Sequence, residues 1–302
     1  MNKNNYLLRK IQMLGYIILS KNPKLFSDKF YLKFMYNFFL GHRLDLKNPK
    51  AYTEKCQWLK LYDRKPIYTI MVDKYLVKEF VKERIGEKYV IPCYGVWDAP
   101  DEIDYDKLPK QFVLKCNHDS GSVIIVKDKS TIDKNEISRK LKYYLGQDYY
   151  YGAREWPYKN VKRKILAEQY IESLGKPESI EYKVTCIGGK VKFITICKGI
   201  AHSSYDVRTN DHYTPEWEQL DFYVNYKPSG IKWERPVFAD EMILLCEKLS
   251  AGTPYLRVDW YVVDGKLFFG EMTFYTWGGM CSFTPEEWDY KLGEMLSLPQ
   301  KS

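Results

Sequence analysis

Two pairs of residues near the C-terminal end carry the densest chemistry in the chain. Arg257 and Asp259 stand one residue apart in LRVDWYVV, and Glu271 and Thr273 stand one residue apart in KLFFGEMTF. Both stretches are rich in β-branched and aromatic residues. Asp264-Gly265 between them is a strong two-residue hairpin signal. Side chains at such spacing share one face of a strand. Across an antiparallel pair the two faces can coincide, which gathers a cation, two carboxylates and a hydroxyl in one small area. Two readings stand open at this point: cross-strand salt bridges on an exposed sheet face, and a functional cluster.

Further candidates lie upstream. In QFVLKCNHDSGSVIIVK two apolar strands, 112–115 and 123–126, flank the polar loop Asn117, His118, Asp119, Ser120, Gly121, Ser122. Small residues let backbone N–H groups approach a phosphate, and Lys115 at the strand end can set its ammonium against phosphate oxygens. An ordinary hairpin accounts for the same residues. His118 can touch phosphate, serve as an acid or base near neutral pH, or hydrogen-bond the loop. Glu168 lies in the apolar strand KILAEQYI. Glu181 and Lys183 share a strand face in a hairpin about Gly188-Gly189. Tyr149, Tyr150, Tyr151, Trp156 and Tyr158 form an aromatic loop that reads either as substrate-facing or as a satellite core.

The elements that must position these groups follow from local signals. Residues 1–45 read as helices with basic and aromatic faces. Thr53 is an N-cap candidate for a helix through Leu61, and Pro66 ends it. A second helical run covers 67–84, with Gly86 as its C-cap candidate. A short strand follows over 89–96, an acidic loop over 100–109 and a helix over 132–145. The segment 203–231 is polar, aromatic and irregular, and contains Asp206, Arg208 and Trp217. Loops of that length often line a binding site. Helices over 236–249 and 285–298 bracket the opening pair of strands.

Composition narrows the class. The 302 residues are 45% hydrophobic and 28% charged, with no low-complexity run, which suggests two packed lobes. The net charge of +8 fits an anionic partner such as a nucleotide, an acidic polysaccharide, nucleic acid or a lipid headgroup. Lys162-Arg163-Lys164 is the single compact basic run and no nucleic-acid motif is present, so DNA and RNA are not expected partners. Aromatic content of 16%, with 27 Tyr, would suit sugar or polar-polymer contacts at a surface, but an aromatic-rich core is the reading preferred for most of the Tyr. The 7 Cys are odd in number, irregularly spaced and without a Cys-x-x-Cys, and the 4 His are scattered. Reduced thiols and a cytoplasmic location are the expectation, without disulfides or a zinc site. The apolar stretch 11–20 is too short for a membrane span, which needs about 20 residues, and no signal-peptide cleavage site follows. Residues 6–25 read as an amphipathic basic helix that either touches a membrane surface or packs on the protein or a partner chain.

In order along the chain stand Asp73-Lys74 opening a helix, Lys115 before a small polar loop, Glu168 on a strand, Lys183 in the next hairpin, RVD at 257–259, EMT at 271–273 and Gly278-Gly279. This order resembles the ATP-grasp superfamily. The phrases NPKAYTEKCQWLKLYDRKP, VDKYLVKEFVKERIGEKYVIPCYGVWD, FVLKCNHDSGSVIIVKD and FGEMTFYTWGGMCSFTPEEWDYKLG are similar to its TupA-like branch, associated with teichuronopeptide biosynthesis and bacterial surface-polysaccharide loci. The resemblance spans residues 48–292. It implies an α+β ATP-grasp fold in which two lobes clamp ATP. The divisions would be a helical N-terminal segment (1–70), an N-terminal part (71–110), a small nucleotide-covering lobe (111–172) and a metal- and substrate-binding lobe (173–302).

The resemblance also implies roles. Lys74 and Lys115 would meet the α- and β-phosphates, and the loop Asn117–Ser122 would fold over the triphosphate. Glu168 would sit at the hinge, with the backbone of Gln169, Tyr170 and Ile171 reading adenine. Glu181 or Lys183 would meet ribose or phosphate. Arg257 would face the γ-phosphate, with Lys183 and His118 as further catalytic candidates. Asp259 and Glu271 would hold Mg²⁺. Thr273 would be a further ligand where the superfamily more commonly has Asn and the TupA-like branch favours Thr. A divalent ion between the two carboxylates, with Arg257 beside it, makes sense of a cluster that would otherwise repel. The implied activity is carboxylate–amine ligation through an acylphosphate, joining an amine or amino acid to an acidic sugar or polysaccharide precursor. A sugar or glycan kinase and a glycosyltransferase are the alternatives. The partners are ATP and these substrates, with a peripheral contact at the inner face of the membrane.

Overall fold

The computed structural model describes residues 3–171, 174, 179–199 and 207–301. An N-terminal helical hairpin, α1 (Lys3–Lys21) and α2 (Asp28–Leu40), precedes α3 (Tyr52–Tyr62), α4 (Ile67–Val72) and α5 (Leu76–Ile85). The run expected as one helix over 67–84 is thus two. The break lies at Asp73, whose Oδ1 accepts hydrogen bonds from the N–H groups of Tyr75 (2.8 Å) and Leu76 (3.1 Å) and so caps the start of α5.

The first sheet contains β1 (Cys93–Trp97), β2 (Phe112–Cys116), β3 (Ile124–Val126) and β4 (Ile165–Gln169) in the order β1-β4-β2-β3, all antiparallel. Phe112, Leu114 and Ile165 are fully buried against α6 (Lys134–Leu145), which contributes Ile137 and Leu141 to this smaller core. The aromatic loop is partly ordered as the short helix α7 (Tyr150–Ala153).

The second sheet contains β5 (Ile180–Ile187), β6 (Lys190–Lys198), β7 (Thr209–Tyr213), β9 (Tyr255–Val263) and β10 (Lys266–Thr273) in the order β10-β9-β5-β6-β7. Its buried face, including Val184, Ile194, Val258 and Trp260, packs against α8 (Ala239–Ser250) and the α3–α5 helices to form the larger core. Two findings differ from expectation within 203–231. The segment supplies the edge strand β7, and β8 (Tyr223–Val224) pairs with β11 (Phe283–Thr284) ahead of α9 (Glu287–Met295). Asp206 lies outside the described residues. All seven cysteines are unbridged, as expected for reduced thiols. Among the described residues no helix is long and apolar enough to cross a membrane.

Candidate ATP and acceptor site

The β9–β10 hairpin turns at Asp264 (φ 50°) and Gly265 (φ 73°), both left-handed, as a two-residue turn of this kind requires. A regular ladder from that turn would pair Asp259 with Gly270 and Val258 with Glu271, sending Glu271 into the core. A bulge prevents this. The register passes from Phe269↔Trp260 to Met272↔Val258, so Gly270 and Glu271 together oppose Asp259. Beyond the bulge Met272 joins Val258 in the core and Thr273 pairs with Arg257. Glycine suits that position, since a Cβ would crowd the Asp259 carbonyl oxygen at 3.0 Å and the Tyr261 ring at 3.2 Å. The coincidence of faces read from the sequence therefore depends on one extra residue.

The result is an ion-pair lattice. Arg257 donates from Nε to Asp259 Oδ1 (2.6 Å), and from Nη2 to Asp259 Oδ2 (2.7 Å) and Glu271 Oε1 (3.2 Å). Lys183, the register partner of Asp259, donates to Asp259 Oδ2 (2.7 Å) and Glu181 Oε2 (3.0 Å). Thr273 Oγ1 lies 3.4 Å from Glu271 Oε1. Burial opposes the charge of Lys183, but Asp259 and Glu181 outweigh it and hold its pKa well above the usual lysine value. Burial likewise opposes ionisation of Asp259, yet Arg257 and Lys183 keep its carboxyl below the ordinary range.

A second cluster sits on the smaller sheet. Glu168 is clamped between Lys78 Nζ (2.7 Å to Oε1) and Lys115 Nζ on its other oxygen. These cations overcome the burial penalty and lower its pKa. Lys78 also donates to the Ile91 carbonyl (2.8 Å); its role was not read from the sequence because its partner is nonlocal. Lys74 stands between the clusters. Its ammonium donates to the Asp119 carbonyl, burial lowers its pKa, and its charge feels Glu271 on one side and Lys115, Asp119 and Glu168 on the other.

The loop 117–122 is stiffened from within. Asn117 is fully buried. Its Nδ2 donates to Asp73 Oδ2 (2.8 Å) and the Lys162 carbonyl (2.9 Å), while its Oδ1 accepts from the Lys164 N–H (2.7 Å). Asn117 thus pins the loop to the start of α5 and to the 162–164 segment. Ser122 Oγ donates to Asp119 Oδ1 (2.6 Å) and accepts from the Cys116 N–H (2.8 Å). Gly121 takes φ 111°, and Ser120 lines the central cavity with Asp119. His118 is buried away from that cavity with Nε2 3.1 Å from the Gln147 carbonyl, and burial lowers its pKa. This contact ties the loop to Gln147, the hydrogen-bonding reading of the three open for it. In the segment expected to meet adenine, the Gln169 N–H is bonded to the Pro92 carbonyl (3.0 Å), and Tyr170 and Ile171 lie beyond the end of β4.

The cavity, about 580 Å³, reaches from Asp119 and Ser120 past Lys183, Arg257, Glu271 and Thr273 to a wall formed by Arg208, Tyr226 and Trp277. The turn 276–279 is held by α3: Gln57 Nε2 donates to the Gly279 carbonyl (2.7 Å), and the buried Lys60 ammonium donates to Gln57 Oε1 (2.9 Å), the Ala153 carbonyl (2.8 Å) and the Gly278 carbonyl. A Cβ at Gly279 would lie 2.5 Å from Cys56 Cβ, so the close approach demands glycine. Glu155, from the end of the aromatic loop, also lines the cavity and is only 6% exposed.

The oxygen donors fit Mg²⁺. Glu271 lines the cavity with its side chain 43% exposed, and the Thr273 hydroxyl stands beside it. Asp259 does not line the cavity and spends both oxygens on Arg257 and Lys183, so only its remaining lone pairs can serve a cation. Among the described residues no three His, Cys, Asp or Glu side chains form a metal cage. Mg²⁺ needs no more than one or two carboxylates where phosphate oxygens and water complete its octahedron.

Two antiparallel sheets, one bearing Glu168 between Lys78 and Lys115 and the other Asp259 and Glu271 with Lys183 and Arg257, meet near the β2–β3 loop, an arrangement that fits the ATP-grasp class. The chain belongs to the TupA-like ATP-grasp family, whose model matches residues 54–297. No curated protein sequence matches it. Among solved structures it is similar to a D-alanine–D-alanine ligase from Bacillus anthracis complexed with ATP (19% identity, 68% of this chain and 55% of that one, TM-score 0.39). It is also similar to a D-alanine–D-alanine ligase from Helicobacter pylori (16%, 76% and 62%, TM-score 0.38) and a RimK domain ATP-grasp protein from Sphaerobacter thermophilus (12%, 78% and 70%, TM-score 0.43). The chain spans 55–62% of the two ligases' lengths. Likeness at this level says nothing of substrate.

Proposed function

We propose that the protein is an ATP-dependent carboxylate–amine ligase that modifies a bacterial surface polysaccharide or its acidic-sugar precursor. The observation that carries this reading is the convergence of Lys183, Arg257 and Glu271 on one cavity whose loop side is tethered by Lys74. In the first step a substrate carboxylate oxygen attacks the γ-phosphorus of ATP, releasing ADP. Arg257 and Lys183 neutralise charge developing on the transferred group, and Lys115 and Lys74 hold the remaining phosphates. Mg²⁺, held by Glu271 with Thr273 and the free lone pairs of Asp259, would supply further charge neutralisation and orientation. An amine then displaces phosphate from the acyl carbon to form an amide. No nucleophilic side chain is needed; positioning is the protein's contribution.

The far wall suits an acidic sugar. Arg208 offers a cation, and Tyr226 and Trp277, with ring centroids 5.8 Å apart, offer aromatic faces. We place the enzyme in the cytoplasm against an anionic membrane surface, through α1. Its inner side packs on α2, with Gln12 bonded to Asn37 (3.1 Å) and Tyr16 stacked on Phe38 (4.7 Å). Its outer side exposes Met13, Leu14, Ile17 and Ile18 between exposed Lys10 and Lys21.

The deciding experiment incubates the protein with Mg·ATP, uronic acids and amines and reads product masses. ADP with a new amide supports the ligase. ADP with a phosphorylated acceptor replaces it with a kinase, and sugar-nucleotide turnover without ATP binding replaces it with a glycosyltransferase.

A further inference from the structure

None of the roles proposed above uses Glu155, yet its placement is specific. The chain reverses at Arg154, which takes the left-handed conformation (φ 55°). The Arg154 guanidinium turns outward beneath the N-terminal hairpin, 4.1 Å from the Tyr31 ring centroid, and donates to the Pro23 carbonyl. Glu155 consequently points the other way, into the cavity that Arg257 and Glu271 also line.

Lys60 is the natural counter-charge but is committed elsewhere. Its ammonium has three acceptors, Gln57 Oε1 and the carbonyls of Ala153 and Gly278. Lys60 and Glu155 both lie beside Gly278, where a Cβ would be 3.9 Å from Lys60 Nζ and 4.0 Å from Glu155 Oε1, but no ion pair closes between them. Among the described residues Glu155 forms neither an ion pair nor a side-chain hydrogen bond. A carboxylate that is 94% buried without a donor is costly. Burial raises its pKa, Lys60 and Arg257 pull it down, and Glu271 pushes it up. Tyr149 and Tyr158 flank it, each with a pKa raised first by burial and then by Glu155 itself. A ligand bearing N–H groups in the cavity would supply the missing donors.

We propose that Glu155 receives the amine substrate, binding its ammonium and taking one proton as the nitrogen attacks the acyl carbon. This rests on the ligase reading above. One N–H proton passes to the Glu155 carboxylate, and the freed lone pair forms the C–N bond. The bond from the acyl carbon to the phosphate oxygen breaks, and phosphate departs with its electron pair. The surplus proton left on nitrogen goes to that phosphate, and Glu155 returns its own proton to water.

The test uses the full chain with ethylammonium chloride as the amine probe and tetramethylammonium, which lacks an N–H, as control. Saturation-transfer NMR above neutral pH should detect ethylammonium on the wild type. Glu155→Gln should weaken that binding about tenfold or more, the loss expected for one charged hydrogen bond. Glu155→Asp should retain part of it, and tetramethylammonium should give no signal with any variant. The ethylammonium signal should fade as pH falls and the carboxylate gains its proton. Calorimetry with ATP on the same samples should give equal affinities for all three proteins, which reports an intact fold. Equal ethylammonium binding by wild type and Glu155→Gln, or none by wild type, overturns the proposal. A wild type that fails to bind ATP instead sinks the ligase reading.

Discussion

Asp259 and Glu271 look equivalent as a pair of acidic residues, but their surroundings separate them. Asp259 is 2% exposed and answers two partly buried cations. Asp259→Asn leaves Arg257 and Lys183 under-compensated, which costs about 3–5 kcal/mol. Urea unfolding should show that loss alongside lost turnover. Glu271 faces the cavity, so Glu271→Gln should abolish ATP turnover while its unfolding midpoint stays near that of the wild type. Full turnover in Glu271→Gln would remove it from the metal site. His212 offers a separate test. It is stacked on Phe222 (centroids 4.2 Å apart), its Nδ1 meets Thr195 Oγ1 at 2.9 Å, and burial lowers its pKa to about 3. The unfolded chain takes up this proton near pH 6.5. The stability tied to the neutral ring is therefore complete above that pH and declines as pH falls toward 3. Between pH 6.5 and pH 5 the loss is about 2 kcal/mol, and His212→Phe should flatten that part of the stability profile.

The bulge in β10 and the helix α1 carry the predictions that belong to elements. Gly270→Val meets the Asp259 carbonyl and the Tyr261 ring. It should either destabilise the hairpin by about 1–3 kcal/mol or shift its register, and turnover should fall with it. Hydrogen exchange along β9 and β10 distinguishes the two outcomes. On α1, Leu14→Glu with Ile18→Glu replaces apolar contacts with like charge facing the lipid. Wild type should sediment with vesicles containing anionic phosphatidylglycerol and not with neutral phosphatidylcholine. The double variant should stay in the supernatant, and equal sedimentation of both proteins would remove the membrane contact. The hairpin turn, the alternation of Arg257 with Asp259 and the pairing of Glu181 with Lys183 were readable because each depends on neighbours in sequence. β7 was not, because TNDHY has two poor strand formers at its centre, Asn210 and Asp211, and is recruited by the edge of β6. The bulge announced itself only as a glycine inside a strand pattern.

At the scale of the molecule, the two-lobed fold and the order of its charged groups were legible. The motifs recur in a sequence order that topology preserves. What escaped was the tertiary property of having or lacking a partner. Glu155 is informative because nothing answers it, Asn117 because everything does, and neither state is written in local spacing. ATP should bind across the seam that Lys74 spans. At a hundredfold excess over Kd it should stabilise the fold by about 2.7 kcal/mol. Lys115→Ala, read by calorimetry, should weaken ATP binding, and an unchanged Kd would return the 117–122 loop to an ordinary hairpin. The N-terminal hairpin bears on the whole in another way. It lies outside the family match, yet Tyr31 donates to the Gly152 carbonyl (2.9 Å), and Asp28 accepts from Tyr150 (2.6 Å) and Arg64 (2.9 Å). The family match begins at residue 54, but the contacts that brace it begin earlier in the chain. A chain cut at that border would keep every candidate site residue and lose the buttress behind α7, and protease nicking confined to 150–155 would reveal it.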